Sequence, residues 1–460
     1  MRKEYRDMTD ENRRITRGKF LARGAAFAFA AAVTGPGLTI LSGCGGGSSS
    51  SGPLTFMQFY GPGGEVSAQS KWFEDAVNGW NKENETKIDL QYVPSQEYIS
   101  GTKLQTAFSA GEGPDVFIIS PGDFLKYYNG GVLEEISQYM DQKAIDDFYP
   151  SVMATRSVDG KVYALPMEVE PLVMYYSVKA FEEAGLSEAD IPTTWDQLLD
   201  VSGRLKKGDR FGVLFETVPG YYQNFTWYPF MWMGGGGAVS PDGNSSDFDS
   251  KGSIQALQFW QDSIEQGVAP RQVLGSGGGD PIANLTEGFC AIQNCGIWGV
   301  ADLRANAPDF EYGVFKLPVP PGGEYTSDLG GWAFVANSKG KNPEAAGQFC
   351  AWALGSMSQE SVGRMVDWCT EAKSDIAPRK SVQEEADKKG AYDSGAMKIF
   401  REEAFPGARS EPRYPPEVYK PISDAIQACQ LDGADATQQA QRGAQSIETF
   451  LESYSGAEIL

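Results

Sequence analysis

The sequence predicts an α/β protein with two lobes, each a sheet flanked by helices, between which the chain crosses. Strand-like and helix-like segments alternate from Leu54 to Ile119, and a second alternating series starts near Leu172. Such alternation is typical of parallel sheets covered by helices. Between the two series, two prolines and two carboxylates interrupt the apolar segment LPMEVEPLVMYY, which predicts a crossing from one sheet to the other. The predicted lobes are residues 54–167 plus about 325–372, and residues 168–324 plus about 373–460.

The first series contains three strands and two helices. Buried strands are expected in LTFMQFY, TKIDLQYV and PDVFII. Apolar residues from Trp72 to Trp80 recur at helical spacing, which predicts a helix over residues 67–82, and a second helix is expected over 97–110. The βαβαβ order predicts that the three strands are parallel.

The second series repeats this alternation without repeating the sequence. Strands are expected in LVMYYS, FGVLF and FCAIQ. Thr194 is positioned to cap a helix that begins at Trp195, and a further helix is expected over 253–266. The run Gly234–Gly237 lacks the Lys-Ser/Thr of a phosphate-binding loop, so it is interpreted as a turn after a helix that carries Trp232.

Composition excludes several classes of function. The 460 residues include 61 acidic and 39 basic residues, a formal net charge of −22, and this field repels the phosphates of nucleic acid. Histidine is absent, which excludes His-based catalytic triads and nearly every zinc-enzyme arrangement. We therefore expect no nucleic-acid partner, no metal and no cofactor, and we expect a monomer.

The first 43 residues predict an export signal. A basic segment, RRITRGKF, precedes an apolar, alanine-rich run that ends in small residues. The following Leu-Ser-Gly-Cys resembles the bacterial lipobox, which predicts a lipid on Cys44 and a membrane-anchored protein facing the extracellular side or the periplasm. Residues 44–53 form a Gly/Ser-rich tether. Arg13 and Arg14 resemble a twin-arginine signal, and the general export route remains open as the alternative.

The five cysteines beyond Cys44 are an odd number, so at least one thiol is expected to be free. Cys290 and Cys295 lie in a predicted strand, where five residues span roughly 16 Å. This separation is too long for a disulfide. The preferred bridge is Cys350 with Cys369, and metal binding is the lesser alternative because no CxxC spacing occurs.

Aromatic residues lie beside glycine or small polar residues at four predicted strand ends. The four segments are FYGPGG (59–64), YYQNFTWY (221–228), CGIWG (295–299) and LGGWAF (329–334). Glycine leaves the approach open, and an aromatic ring offers an apolar face to the C–H face of a sugar. Sugar hydroxyls also need polar partners. Suitable side chains are Ser120, Asp123, Glu168, Glu170 and Asn224.

Five segments in order resemble the family 1 extracellular solute-binding proteins of ABC importers, the class that contains maltose-binding proteins. The segments are GPDVFIISPGDFLKYYNGGVLEEI, DGKVYALPMEVEPLVMYYSVKAFEEAGL, PTTWDQLLDVSGRLKK, EGFCAIQNCGIWGV and LGGWAFVANSKGKNPEAAGQF. The resemblance covers the chain from Leu54 to about Phe450. It implies a type II periplasmic-binding-protein-like fold whose lobes close on a carbohydrate, without catalysis, and deliver it to a membrane permease.

The resemblance also implies which residues contact the ligand. Ser120 and Asp123 fall in the loop after the PDVF strand, Glu170 at the hinge, and Trp298 at the Gly-x-Trp stacking position. The remaining matches are less specific and include Arg379 in APRKSV and Tyr419 on a C-terminal helix. The full predicted ligand-binding set is Tyr60, Ser120, Asp123, Glu168, Glu170, Tyr222, Asn224, Trp227, Trp298, Trp332, Arg379 and Tyr419.

Two alternatives remain open from the sequence. In the first, the protein is a surface-anchored glycoside hydrolase or lyase in which Glu168 and Glu170, two residues apart on one strand face, flank a glycosidic bond. In the second, the same fold binds a polyol phosphate or another solute, with Arg379 as the available cation.

Overall fold

The computed structural model describes residues 52–62, 66–99 and 101–459. The predicted export signal, the predicted lipidation site Cys44 and residues 44–51 of the tether lie outside the described residues. None of the helices in the described ranges combines the length and the apolar character that a membrane crossing requires.

The strands and helices alternate along the chain, as the sequence predicts. The strands are β1 (Leu54–Gln58), β2 (Ile88–Tyr92), β3 (Val116–Ile119), β4 (Ser157–Val158), β5 (Lys161–Val162), β6 (Leu165–Pro166), β7 (Glu170–Ser177), β8 (Phe211–Leu214), β9 (Cys290–Gly296), β10 (Tyr312–Phe315), β11 (Asp328–Gly330), β12 (Ala333–Ala336) and β13 (Arg409–Ser410). The α-helices are α1 (Ser67–Glu83), α2 (Ser95–Ile99), α3 (Thr102–Ser109), α4 (Phe124–Asn129), α5 (Gln142–Asp147), α6 (Pro150–Ala154), α7 (Val178–Glu183), α8 (Trp195–Leu205), α9 (Tyr221–Met233), α10 (Lys251–Glu265), α11 (Gly299–Asn306), α12 (Pro343–Leu354), α13 (Gln359–Asp367), α14 (Lys380–Lys388), α15 (Gly395–Ile399), α16 (Pro416–Gln430) and α17 (Ala436–Leu451). Short 3-10 turns lie at Pro121–Asp123, Ser137–Tyr139 and Glu188–Asp190, and π-helical turns at Ile282–Thr286, Trp368–Ala372 and Phe400–Ala404.

The first sheet has the strand order β2-β1-β3-β12-β6. β1 pairs in parallel with β2 and with β3, which confirms the predicted βαβαβ arrangement. The predicted second helix is divided into α2 and α3. The division falls at Gly101, whose φ of 73° is left-handed and therefore ends a helix at low cost only for glycine.

The second sheet is built around β7, whose eight residues are all buried. β7 pairs antiparallel with β9 on one side and with β10 and β11 on the other, while β8 and β13 extend the edges. Thr194 caps α8 through a capping box with Gln197, which confirms the predicted helix start.

One predicted strand end is a helix. The segment YYQNFTWY forms the start of α9, which begins after Gly220 and ends at the glycine run interpreted as a turn. Its aromatic and β-branched residues suggest a strand by propensity alone. In the structure α9 is apolar around most of its circumference and is buried from Gln223 to Met233, so tertiary packing outweighs that propensity.

The chain passes between the two sheets within LPMEVEPLVMYY, as predicted. β6 pairs with β12 in the first sheet, and β7, four residues later, is the centre of the second sheet. The chain passes back between β11, which pairs with β7, and β12. Lobe boundaries within these passages stay a prediction, although β11 belongs by pairing to the second sheet.

The predicted bridge between Cys350 and Cys369 is wrong. All five described cysteines are free and buried. The Cys369 thiol is directed instead at the Met167 carbonyl, 3.7 Å away. Cys290 and Cys295 are also unpaired, which agrees with their spacing along β9.

Candidate functional site

Three connecting segments lie side by side where the chain passes between the sheets. They are residues 167–169 between β6 and β7, residues 331–332 between β11 and β12, and residues 373–376 after the turn Trp368–Ala372. The Met167 amide donates to the Trp332 carbonyl at 2.8 Å, and the Val169 amide donates to the Ile376 carbonyl at 2.9 Å. These bonds place the polar side chains of all three segments in one group.

Glu168 is hydrogen-bonded to several other members of this group. Its Oε1 accepts from the Trp332 amide at 2.7 Å, and its Oε2 accepts from Nε1 of Trp368 at 2.6 Å. Burial raises the pKa of Glu168 to about 7, although the Lys373 ammonium opposes the shift. Both oxygens are occupied and the side chain is fully buried, so Glu168 cannot reach a glycosidic bond as an acid or a base.

The Lys373 ammonium neutralises the remaining acids. It donates to the Tyr60 hydroxyl at 2.7 Å and to the Glu170 carboxylate, and it lies 3.6 Å from Asp375. Burial acts to lower the pKa of Lys373, but the surrounding acids outweigh it and hold that pKa well above its ordinary value. Oxygens of Glu168, Glu170 and Asp375 lie within 4.8 Å of one another, so the lysine holds the place that a metal cation would take.

A second group, the aromatic shelf, consists of Tyr222, Phe225 and Trp298. The ring centroids of Tyr222 and Phe225 lie 6.1 and 6.3 Å from that of Trp298. Nε1 of Trp298 donates to the Gly279 carbonyl at 3.0 Å. The indole also covers Gly296, where a Cβ atom would lie 1.9 Å from the ring. Tyr222 and Trp298 are half-buried and Phe225 is buried, so a ligand would meet the first two rings.

Glu216 positions the loop on which the shelf rests. Its Oε1 accepts from the amides of Thr217 and Val218, and its Oε2 accepts from the Gly278 amide at 2.8 Å. Nε2 of Gln293 donates a hydrogen bond to the Gly278 carbonyl at 2.7 Å. The loop that supports Trp298 is therefore fixed from both sides.

The loop after β3 faces the shelf from the first sheet. A Cβ atom on Gly122 would lie 2.6 Å from the Tyr221 ring and 2.7 Å from Oε1 of Glu411, so only glycine fits this contact. Ser120 is buried, and its hydroxyl has no hydrogen-bond partner within the described part of the chain. Asp123 lies 3.4 Å from the Lys126 ammonium.

Glu170 connects the two groups. Burial raises the pKa of Tyr221 and of Tyr222 well above the ordinary value, and the charge of Glu170 adds to both shifts. The carboxylate paired with Lys373 therefore also acts on the tyrosines of α9. Tyr60, Glu168, Glu170 and Trp332 thus gather at the connecting segments, while Ser120, Asp123, Tyr222 and Trp298 line the space beside them.

Four predicted residues lie elsewhere. Trp227 is fully buried and packs near Phe248, at 6.1 Å between ring centroids. The Asn224 amide nitrogen donates to the Tyr419 carbonyl at 2.7 Å, which ties α9 to α16. Arg379 is fully buried, with Nε bonded to Asp147 at 2.8 Å and Nη1 to a backbone carbonyl at 2.7 Å. This removes the cation on which a phosphate ligand would depend.

Sequence reasoning missed several residues of the site. They are Asp375, Lys373, Tyr221, Glu411 and Glu216. Lys373 and Asp375 lie in EAKSDIA, a polar stretch without a motif, and only tertiary packing buries them. The pair YY at the start of α9 offered a signal for Tyr221, since its neighbour Tyr222 belongs to the predicted set.

An open hollow of about 1220 Å³ lies apart from these groups. It is lined by residues of α4, the β4–β5 hairpin and the C-terminal segment after α17. None of the predicted ligand-binding residues lines it, so we assign it no part in the site.

The fold and the site together define a class of protein. Two sheet-and-helix lobes share closely packed connecting segments, and an aromatic shelf beside them faces a loop from the opposite lobe. This is the architecture of a two-lobed solute-binding protein.

The chain belongs to the bacterial extracellular solute-binding protein family, whose family model matches residues 64–360. This is a family of extracellular binding proteins, so the protein is exported. Its fold is similar to the crystal structure of an ABC transporter solute-binding protein from Thermotoga lettingae TMO bound with alpha-D-tagatose. The TM-score is 0.74 at 21% identity, covering 87% of this chain and 100% of that one.

Curated relatives match over part of their length. A galactooligosaccharide-binding protein from Bacillus subtilis (strain 168) is 27% identical over 289 residues, which is 61% of this chain and 65% of the relative. A Brucella abortus (strain 2308) protein described only as a binding protein is 25% identical over 263 residues, which is 56% of this chain and 62% of the relative. The chain thus spans less than two thirds of the length of these relatives.

Proposed function

We propose that this protein captures a sugar or an oligosaccharide between its lobes and delivers it to the permease of an ABC transporter, without transforming it. The observation that carries the proposal is the aromatic shelf of Tyr222, Phe225 and Trp298 beside the Glu170 carboxylate. Aromatic faces suit the C–H face of a sugar, and carboxylates accept from its hydroxyls. The sugars named for the Bacillus subtilis relative and the Thermotoga lettingae structure support this class of ligand.

Anchoring and partners complete the proposal. A lipid on Cys44 would hold the protein at the outer face of the membrane, and the tether that follows would let it reach the permease. The protein would act as a monomer. The hydrolase alternative has no support, because the carboxylate of Glu168 is sequestered by Trp332, Trp368 and Lys373.

A panel of sugars tests the proposal. The soluble protein beginning after the tether is incubated with mono-, di- and trisaccharides, and both its thermal unfolding and the composition of the sugars are measured. We expect one ligand class to raise the unfolding temperature, because binding only to the folded state stabilises it, and we expect no new products. Release of shorter sugars would contradict the absence of catalysis, and no stabilisation by any sugar would contradict the ligand class.

Replacing Trp298 with Ala should weaken sugar binding by about 1–3 kcal/mol, the range for a buried aromatic anchor. Loss of the indole removes one of the two ring neighbours of Tyr222 and leaves Phe225 as the other. Isothermal titration calorimetry with the best sugar of the panel measures the change. Trp352→Ala is the matched control, since Trp352 is another half-buried indole, packed against Trp80 and Arg364. Equal affinities for the two variants would remove Trp298 from the site.

A further inference from the structure

The carboxylate of Glu411 is buried with little hydrogen-bond support from the protein. Glu411 follows β13 and is fully buried, and neither of its oxygens accepts a direct hydrogen bond from the described residues, although the Tyr221 hydroxyl is close enough to act on its pKa. Such a group bears the full cost of desolvation, which makes it rare in folded proteins unless something else satisfies it. Burial raises the pKa of Glu411 to about 8, and the Arg156 guanidinium opposes that shift only in part.

Glu411 lies where the two lobes meet. A Cβ atom on Gly122, in the loop from the first sheet, would lie 2.7 Å from Oε1, and one on Gly330 would lie 3.6 Å from Oε2. The same Gly330 position would be 2.8 Å from the Phe225 ring of the aromatic shelf. The carboxylate therefore borders the space between the loop after β3 and the shelf.

Other unsatisfied polar groups surround this space. Arg156 is 1% exposed and donates through Nη2 to the Gly331 carbonyl at 2.9 Å, but its Nε has no partner within the described ranges. The Ser120 hydroxyl and both oxygens of Asp328 are likewise buried and without partners there. Among these unpartnered protein groups, hydrogen-bond acceptors outnumber donors. A ligand that pairs with them therefore has to supply O–H or N–H groups.

We propose that Glu411, together with Arg156 and Tyr221, forms a recognition subsite that accepts a hydrogen bond from a hydroxyl or amino group of the captured sugar and excludes anionic sugars. The inference rests on the proposed function and adds the specificity of the site. A carboxylate or phosphate on the ligand would bring further acceptors to a space that already holds the carboxyl groups of Glu411, Asp328, Asp123 and Glu170, and Arg156 would be the one cation of the subsite to balance its charge. A hydroxyl or an ammonium group on the ligand would instead donate hydrogen bonds to these unpartnered acceptors.

The state of Glu411 can be tested without a ligand. The groups that act on Glu411 are Arg156, Tyr221, Asp123, Glu170 and Asp328. Because the pKa in the folded state is raised, the protein loses stability as pH rises from the ordinary value of 4.5 towards about 8. Glu411→Gln removes this contribution, so the variant should unfold at a higher temperature than the wild type at pH 8.5 and at the same temperature at pH 4. Equal destabilisation of the variant at both pH values would show a structural hydrogen bond and would overturn the proposal.

Binding is tested with three disaccharides that differ in one type of group. Cellobiose, the glucosamine disaccharide from chitosan and digalacturonate are titrated at pH 7 into the wild type, Glu411→Gln and the control Glu417→Gln, an exposed residue of α16. We expect Glu411→Gln to weaken binding of the neutral or amino sugar by about tenfold or more. A larger loss for the amino sugar identifies an N–H donor, and an equal loss for both identifies an O–H donor.

The outcomes separate this inference from the proposed function. Sugar binding by the wild type with unchanged affinity in Glu411→Gln overturns this inference alone. Tight binding of digalacturonate by the wild type also overturns it. A wild type that binds no sugar of this set or of the wider panel overturns the proposed function and this inference with it.

Discussion

Replacing Lys373 with Met should destabilise the folded protein by about 3–5 kcal/mol, the cost of removing one partner from a buried ion pair. The ammonium is 3% exposed and is shared by Glu168, Glu170 and Asp375. Without it, three carboxylates would remain buried within 4.8 Å of one another with no cation. Urea-induced unfolding followed by tryptophan fluorescence measures the loss.

The loss should depend on pH. Protonation relieves carboxylates that have lost their counterion, so the free energy difference between Lys373→Met and the wild type should be larger at pH 8 than at pH 5. Lys71→Met is the control, because Lys71 pairs with Asp75 at the surface, where both side chains are more than half exposed. A loss for Lys373→Met as small as that of the control would mean that the connecting segments do not depend on the lysine.

Replacing Gly122 with Ala should weaken sugar binding by about fivefold or more, because overpacking a close contact costs about 1–3 kcal/mol. The new methyl group would meet the Tyr221 ring at 2.6 Å and Glu411 at 2.7 Å, both across the contact between the lobes. Opening of the lobes relieves the clash, so the thermal stability of the ligand-free protein should change little. A ligand that needs contacts from both lobes then binds a state that the variant disfavours.

Calorimetry and small-angle X-ray scattering check this prediction together. With saturating sugar, the variant should keep a larger radius of gyration than the wild type. Gly203→Ala is the matched control, since an added Cβ atom there has no neighbour within 4 Å and lies on the exposed side of α8. An unchanged affinity and an unchanged radius of gyration in Gly122→Ala would show that this contact does not limit closure.

Much of the fold is determined locally and could be predicted. The parallel arrangement of β1, β2 and β3 follows from the alternation of apolar strands with an amphipathic helix. Prolines and carboxylates within a continuous apolar run marked the passage between the sheets. The helix start at Thr194 could be predicted because the two residues of its capping box are only three positions apart.

The errors arose where long-range packing outweighs local pattern. The start of α9 has the composition of a strand, but α9 packs against α10 and α16. A bridge between Cys350 and Cys369 was the preferred prediction, yet both thiols are free and the Cys369 thiol faces the Met167 carbonyl. Arg379 and Trp227 carried ligand-like motifs, but the structure buries both in the core.

The sequence by itself determined the family and the order of strands and helices, and it predicted eight of the polar and aromatic residues around the candidate site, because these depend on neighbours close in the chain. Only the tertiary structure decided which charges meet. Lys373 lies about two hundred residues from Glu170 and about three hundred from Tyr60, yet its ammonium reaches both. These charged side chains come together only when segments that are distant in the chain pack against each other. Because burying an unpaired charge is costly, the carboxylates buried around Lys373 then need its ammonium nearby.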